Sequence, residues 1–433
     1  MRTLQLSALA AAAAAVAFGL FYHFLPAGAI PDAGPYMHAV FPEASSSVRV
    51  AGAYPYYKAV GPQGAEGVFF VTTDLAPDVR GYSGKVPVVV GLLPSGRLSG
   101  IKILSNNETP SYAQRVDRPR FTGQFAGKPI FDPFKVDADV DGVTRATVTA
   151  RAVTDGVRQA SRRAGSDIFG YAYPKEESAL TRGLKDPAVY VLAALFAASL
   201  VLYLKGRQSR SRAGYRYVVL VLSLVFLGVV KASPFALGNV FSLASLRLPG
   251  LDGLFWYVLV IGSLVAAVMF GRLYCGWLCP YGALQELLAL LPVRKLRLDS
   301  ALDDKARVLK YVILWAVTVA AFTTGLLEIG NFEPYGTLFS GHGGVLAWGL
   351  VGVTLGAGLV VPRAWCRYLC PVGALLGLLS GVSIIKRKPF GGCDRCCACA
   401  GVCSMGNRAE GEAGYNPREC IGCNRCVEVC PKR

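Results

Sequence analysis

The sequence of 433 residues predicts a multidomain protein: an N-terminal α+β domain, a polytopic α-helical membrane core with an internal two-fold repeat, and a C-terminal α+β domain built around cysteine. Three observations lead to this prediction. Hydrophobic residues make up 53% of the chain, more than a soluble protein usually carries. Long apolar stretches follow residue 186, and all 13 cysteines follow residue 274. The chain therefore combines membrane spans with thiol chemistry near one end.

The N-terminal segment, residues 1–30, contains an apolar, alanine-rich stretch from 4 to 22 that follows Arg2. Such a stretch is typical either of an uncleaved anchor or of a cleaved signal peptide. Both alternatives stay open on the sequence alone. In either case we expect the chain that follows it to be exported across the membrane.

Residues 35–175 are mixed in polarity and predict a compact exported α+β domain. Runs rich in β-branched and aromatic residues lie at 67–73 and 86–93. Turn signals separate such runs at Gly81, Gly96 and Pro110. A domain of this length is large enough to fold around its own core.

The membrane core is predicted over residues 187–390 and contains five apolar segments, each about long enough to cross the hydrocarbon layer. These segments lie near 188–204, 216–232, 253–271, 309–327 and 344–361. Basic residues concentrate in two alternate connections: Lys205, Arg207, Arg210, Arg212 and Arg216 in one, and Arg272, Arg294, Lys295, Arg297, Lys305 and Arg307 in the other. The positive-inside rule places both connections in the cytoplasm. We therefore expect a multi-pass protein of the cytoplasmic membrane, in contact with lipid, with its N-terminal domain outside and its C-terminus inside.

The net charge of +17 does not indicate a nucleic-acid partner, because the basic residues cluster at the ends of apolar segments without interleaved aromatic residues. Haem is also disfavoured. The chain has only three histidines and no C-x-x-C-H sequence. No G-x-G-x-x-G follows a predicted strand and no P-loop is present, so direct binding of NAD(P)H or ATP is not expected. We assign no catalytic residue for a soluble substrate.

The membrane core contains the same motif twice, as Cys275-Gly-Trp-Leu-Cys279-Pro and as Cys366-Arg-Tyr-Leu-Cys370-Pro. Each copy ends a pair of apolar segments, so the two halves should be related by a two-fold axis along the membrane normal. The spacing places both thiols of a copy on one helical face, and the proline suits the first turn of a new helix. Four converging thiolates could bind an additional metal ion or redox cluster. Alternatively, small cysteines pack a helix junction.

The C-terminal residues 391–433 carry two runs of the form C-x2-C-x2-C-x3-C, the spacing that binds cubane [4Fe-4S] clusters in bacterial two-cluster ferredoxins. In such domains the fourth cysteine of each run binds the other cluster. One cluster is therefore assigned to Cys393, Cys396, Cys399 and Cys430, and the other to Cys420, Cys423, Cys426 and Cys403. A pair of zinc sites is the alternative, since zinc also takes four thiolates.

The segment Asp141-Gly-Val-Thr144-Arg145-Ala146-Thr147 has the form D-x-x-[ST]-x-A-T. It predicts a turn that leads into a helix beginning near Thr147. A helix N-terminus is a suitable place for a phosphate group. From these residues alone, a plain helix cap is the simpler explanation.

This segment closely resembles the flavinylation motif of FMN-binding domains, in which the last threonine carries FMN through a phosphoester. The resemblance implies covalent FMN on Thr147, flavin contacts from Asp141, Thr144 and Ala146, and a flavin transferase that attaches the cofactor. Gly81-Tyr-Ser-Gly84 and Glu108-Thr109-Pro-Ser-Tyr112 are also similar to segments of such domains. Glu108 and Thr109 are therefore included among the cofactor-binding residues.

The combination of these three parts resembles the NosR/NirI family of membrane flavo-iron-sulfur proteins, to which reductive-dehalogenase accessory C proteins are related. The resemblance implies electron transfer between the quinone pool or a cytoplasmic donor, the clusters and the exported FMN, in supply of an exported respiratory reductase. A quinone is a further candidate cofactor. The alternatives are a redox-sensing regulatory membrane protein and a maturation factor for an exported reductase.

Overall fold

The computed structural model describes residues 32–62, 64–79, 85–104, 117–136, 138–142, 147–173, 178–206, 213–246, 248–296, 299–324, 327–341, 343–385, 396, 398–407 and 415–431. Its residues divide into two compact units. One unit comprises His23–Lys185 and Ser245–Leu254, and the other includes Asp186–Ala244 and Phe255–Arg433. The predicted N-terminal segment, 1–30, lies outside the described residues.

The first unit contains a five-stranded antiparallel sheet whose strands pair in chain order. The strands are β1 Ser46–Val50, β2 Tyr56–Gly61, β3 Gly64–Val71, β4 Val88–Leu92 and β5 Leu98–Ile103. Every residue of β4 is buried, because Val88 and Val90 face one core cluster and Val89 faces the other. Both faces of the sheet are thus covered at β4. For this reason the sequence of β4 is apolar throughout and does not alternate between apolar and polar residues. The predicted strands at 67–73 and 86–93 correspond to β3 and β4, but β3 ends at Val71, and Thr72 and Thr73 begin a short helix.

Short helices in this unit are α1 Met37–Val40, α2 Thr72–Leu75 and α3 Pro119–Thr122, with 3-10 turns at Gly34–Tyr36, Gly123–Phe125 and Leu251–Gly253. The long helix is α4 Thr147–Phe169, which has 23 residues, and α5 Ala179–Lys185 follows it. Buried residues of α4 recur every three or four positions, at Ala150, Val153, Val157, Ala160 and Ala164, and pack on the sheet. The predicted helix start near Thr147 is confirmed.

The second unit is helical. Its helices are α6 Pro187–Gly206, α7 Ala213–Ser223, α8 Leu237–Ala244, α9 Leu254–Phe270, α10 Pro280–Leu288, α11 Ser300–Ala306, α12 Leu309–Thr324, α13 Pro334–Ser340, α14 Val345–Val360, α15 Pro371–Gly381, α16 Ala398–Val402 and α17 Arg425–Glu428. π-helical segments lie at Leu224–Val230, Tyr274–Leu278 and Trp365–Leu369, and a 3-10 helix lies at Leu327–Asn331.

Three helical segments of the described chain are long and apolar enough to span a membrane: Pro187–Lys205, Leu251–Phe270 and Ala301–Thr324. A fourth span results if the bent pair α13 and α14 is counted as one. The predicted span near 216–232 corresponds to Gly214–Val230, which is a shorter apolar helix. The apolar helices make this a membrane protein. The number of crossings and their orientation remain predictions.

Candidate functional site

The N-terminus of α4 is where the sequence places the flavin. Thr147 is the first residue of this helix. In the segment before it, the backbone N–H of Asp141 donates a hydrogen bond to Gln124 Oε1 at 2.7 Å. Glu108, Thr109, Thr144 and Ala146 lie outside the described residues. The N–H groups in the first turn of an α-helix have no partner within the helix, and a helix start of this kind suits a phosphate group.

The loop that leads to this helix is held by Asp139. Its carboxylate accepts hydrogen bonds from the backbone N–H of Lys135 at 2.6 Å and of Phe134 at 3.1 Å, and pairs with the Lys128 ammonium at 3.1 Å. Burial alone raises the pKa of Asp139, but these hydrogen bonds and the ammonium outweigh burial and hold the pKa below its usual value. The loop is therefore anchored at neutral pH.

The two C-x3-C-P motifs have the same local structure. Cys275 and Cys366 lie in the π-helical segments, whereas Cys279 and Cys370 have extended backbone and act as the N-caps of α10 and α15. The expectation that both thiols of a motif share one helical face was wrong. The following proline disfavours helical backbone at the second cysteine, so the helix ends there. The predicted start of a new helix at the proline is confirmed.

The structure brings the four cysteines of the two motifs together. Cys279 interacts electrostatically with Cys366 and Cys275, and Cys370 interacts with the same two thiols. Cys275, Cys366 and Cys370 are each less than 9% exposed. No group of three or more His, Cys, Asp or Glu side chains is arranged around a single metal ion within the described residues.

The helix starts at this site favour negative charge. The Sγ of Cys279 accepts a hydrogen bond from the N–H of Gly282 at 3.4 Å, and the Sγ of Cys370 accepts one from Gly373 at 3.2 Å. Both bonds stabilise a thiolate at the positive end of a helix dipole.

Two buried arginines flank the four cysteines. The side chains of Arg272 and Arg363 are fully buried, and Nε and Nη2 of Arg272 lack a hydrogen-bond partner. A Cβ atom on Gly373 would lie 2.8 Å from Arg272 Nη2, and one on Gly282 would lie 3.0 Å from Arg363 Nη1. Each guanidinium therefore lies against the helix start of the other motif copy.

Arg363 has a φ of 55°, which is a left-handed backbone conformation that residues other than glycine rarely adopt. The surrounding contacts must hold this conformation, as is common at functional sites. Together, the helix starts and the buried cations favour negative charge beside the four cysteines.

The carboxylate of Glu286 neutralises Arg363 and a second buried cation, Arg216. Glu286 Oε1 lies 2.5 Å from Arg216 Nη1, and Oε2 lies 2.8 Å from Arg363 Nε. Burial alone raises the pKa of Glu286, but the guanidiniums of Arg363 and Arg216 outweigh it and hold the pKa well below its usual value. Glu286 is therefore ionised at neutral pH.

In the C-terminal segment, three cysteines of the second run and one cysteine of the first run surround a cavity. Cys403, Cys420, Cys423 and Cys426 all line it, together with Tyr415. The structure thus gathers the four thiols that the sequence assigns to one cluster, including the one from the first run. Cys396, Cys399 and Cys430 of the other set are described, whereas Cys393 lies outside the described residues.

This segment packs directly on the first C-x3-C-P motif. Trp277 Nε1 donates to the carbonyl of Gly422 at 3.1 Å. A Cβ atom on Gly276 would lie 2.0 Å from the carbonyl oxygen of Ile421. The loop between Cys420 and Cys423 therefore lies in contact with the residues between Cys275 and Cys279.

Sequence reasoning missed the buried cations. Arg216 and Arg272 were interpreted only as markers of cytoplasmic connections, yet both are almost completely buried. One sequence signal was available: Arg272 and Arg363 both lie three residues before the first cysteine of a motif copy. A basic residue at the same place in both copies indicates a role at the site they share.

Comparisons with known families agree with this arrangement. A model described as FMN-binding domain matches residues 81–162. A model described as 4Fe-4S binding domain matches twice, over 252–299 and 343–389, and each match contains one C-x3-C-P motif. A further 4Fe-4S binding domain model matches 413–433.

Two known proteins match long stretches of this chain. Protein NirI of Paracoccus denitrificans is 32% identical over 272 residues, or 57% of this chain and 39% of NirI. Ferredoxin-type protein NapH of Escherichia coli is 31% identical over 229 residues, or 48% of this chain and 75% of NapH.

Regulatory protein NosR of Pseudomonas aeruginosa is 28% identical over 259 residues, which cover 55% of this chain and 35% of NosR. The chain therefore spans well under half the length of NirI and of NosR, and three quarters of NapH.

Proposed function

Because the chain belongs to the NosR/NirI-type family of membrane flavo-iron-sulfur proteins, we propose that its electron-transfer role is to connect a cytoplasmic or quinol donor with a covalently bound, exported FMN. The electrons would supply a respiratory reductase outside the membrane. In this proposal the ferredoxin segment is in the cytoplasm, the FMN-binding domain is outside, and a flavin transferase attaches the FMN.

The observation that supports this proposal most is the contact between the ferredoxin loop and the membrane cysteines. The Cys420–Cys423 loop lies on Gly276 and Trp277, which stand between Cys275 and Cys279. An electron does not usefully cross the ~30 Å hydrocarbon layer in one step, so a membrane carrier needs an intermediate centre. The four membrane cysteines, Cys275, Cys279, Cys366 and Cys370, are well placed to hold such a centre.

The residues of the chain have separate tasks in this proposal. Cys403, Cys420, Cys423 and Cys426 hold one ferredoxin cluster, and Cys275, Cys279, Cys366 and Cys370 hold a further cluster in the core. Clusters exchange single electrons, whereas a flavin exchanges one or two and so matches different carriers. Arg272 and Arg363 offset the negative charge of four thiolates, and the burial of the site excludes water.

A quinol is the second candidate donor, and Glu333 is the residue that would serve it. This carboxylate is only 1% exposed, although a loop acid is usually solvated, and its Oε2 accepts from the N–H of Leu237 at 3.2 Å. An ionisable group buried in a membrane protein is a functional candidate by default. The Glu328 side chain and His342, which are near Glu333 in the sequence, lie outside the described residues.

The name of Regulatory protein NosR favours the alternative of a redox-sensing regulatory protein. In that case the centres would report their redox state to a partner instead of passing current. A maturation factor that reduces a partner during assembly would also act without steady turnover. Sustained electron flow to the flavin therefore distinguishes the proposed function from both alternatives.

The flavin end of the proposal makes a direct prediction for Thr147. In a host that contains the flavin transferase, mass spectrometry should find one FMN phosphoester on a peptide containing Thr147. Thr147→Val should remove the adduct completely, because no hydroxyl remains to form the ester. Thr149→Val is the matched control and should keep it. An exported wild-type chain without the adduct would contradict the covalent attachment.

A further inference from the structure

Two buried carboxylates in the core are each held between two buried cations. Glu286 pairs with Arg216 and Arg363. Glu419 pairs with Lys310 at 2.5 Å and with Arg272 at 3.7 Å. All these side chains are at most 5% exposed, so both groups of charges are shielded from solvent, and we call them the first and the second charge cluster.

The cations of the two clusters occupy equivalent positions in the two sequence copies. Arg272 and Arg363 precede the first cysteine of each motif by three residues, and Arg216-Tyr217 corresponds to Lys310-Tyr311 at the start of each pair of segments. The carboxylates do not correspond. Glu286 lies six residues after Pro280, and the residue six after Pro371 is Gly377.

The second charge cluster, which contains Lys310 and Arg272, therefore takes its carboxylate from another part of the chain. Glu419 immediately precedes the cluster ligand Cys420. The backbone of Arg418, next to Glu419, packs against Gly377. A Cβ atom at position 377 would lie 2.8 Å from the carbonyl oxygen of Arg418, so this close approach requires glycine. The missing side chain of the second copy is thus replaced by the ferredoxin segment.

We infer that Glu419 is a positioning residue, which completes the second charge cluster and thereby fixes the Cys420–Cys423 loop against the four membrane cysteines. This inference rests on the proposed function, in which those cysteines hold a redox centre. It implies that electrons pass between two centres at a constant separation within one folded unit. A freely moving ferredoxin segment is not needed.

Arg272 connects the two ends of this arrangement. Its Nη1 donates to the Arg418 carbonyl at 3.1 Å, and the guanidinium interacts electrostatically with both Glu419 and Cys275. Tyr311 adds a hydrogen bond from its hydroxyl to Glu419 Oε1 at 3.2 Å. Loss of the Glu419 charge would leave the buried Lys310 without its carboxylate and would remove one of the anionic partners of Arg272, which favours separation of the loop from the core.

The test uses the full-length, cluster-loaded protein with the substitution Glu419→Gln. Two quantities are measured: hydrogen exchange of the backbone over residues 415–431, and the magnetic interaction between reduced clusters seen by electron paramagnetic resonance. We expect exchange to rise at least about tenfold, the factor that follows from losing one charge-assisted hydrogen bond. The magnetic interaction should disappear while the iron content of the ferredoxin segment stays unchanged. Glu428→Gln is the matched control, because it makes the same change at a residue outside the second charge cluster. It should leave both quantities as in the wild type.

A second variant covers the case in which Glu419→Gln does not fold. Gly276→Ala touches no charge but places a Cβ atom against the Ile421 carbonyl, so it should give the same two changes. Gly356→Ala, which meets open space, is its control. Wild-type exchange and magnetic interaction in either folded variant would overturn the inference. A wild-type protein without iron at the membrane cysteines would instead contradict the proposed function, while hydrogen exchange would still decide whether Glu419 holds the loop.

Discussion

The substitution Glu286→Gln is expected to lower the free energy of unfolding by about 3–5 kcal/mol, the usual cost of removing one partner from a buried ion pair. Glu286 is 1% exposed and faces Arg216 and Arg363, so the variant leaves two buried guanidiniums without a carboxylate. Because the pKa of Glu286 is lowered in the folded protein, this stabilisation is present at neutral pH and is lost only as the pH falls through the lowered pKa. Thermal unfolding in detergent measures the change.

The matched control for this prediction is Asp304→Asn, which also replaces a carboxylate by an amide. Asp304 is 73% exposed and lies 3.6 Å from Arg307. An exposed pair of this kind contributes about 0–1 kcal/mol, so the control should unfold close to the wild-type temperature. If Glu286→Gln were as stable as Asp304→Asn, the buried carboxylate would not be neutralising the two arginines.

The second large effect is expected at the membrane cysteines. If they bind a cluster, the purified wild-type chain contains iron beyond the about eight atoms of two cubane clusters. Cys279→Ala and Cys370→Ala should each remove this additional iron, because a cluster that loses one of four thiolates is no longer held. Iron analysis and the visible absorption of the purified variants measure the loss.

Cys397→Ala is the matched control, since Cys397 has no place in either C-x2-C-x2-C-x3-C run. It should leave the iron content unchanged. Equal iron in the wild type and in Cys370→Ala would show that the four cysteines only pack the helix junction. The ferredoxin cysteines would then be the sole iron ligands among those assigned.

Much of this architecture could be predicted from local sequence. The strands β3 and β4 follow from apolar runs, and the start of α4 follows from the turn before Thr147. The proline after each second cysteine correctly predicts the starts of α10 and α15. In each case the determining residues are neighbours in the chain.

The charge clusters could not be predicted in the same way. Glu286 and Arg363 are far apart in the sequence, and so are Glu419 and Lys310. A basic residue near an apolar segment is normally a sign of membrane orientation, and nothing local shows that Arg216 is buried against a carboxylate. Only packing of the two motif copies and the ferredoxin loop reveals that relation.

We propose that electrons pass from the ferredoxin segment through the membrane cysteines to the exported flavin. The most direct test of this proposal uses inverted membrane vesicles, in which the cytoplasmic face is outward, and a low-potential reductant that does not cross the membrane. We expect rapid loss of the oxidised-flavin absorbance in wild-type vesicles, sustained when an acceptor is enclosed, and none in Cys370→Ala vesicles. Flavin that stays oxidised in the wild type, or is reduced equally fast in the variant, would contradict the proposal.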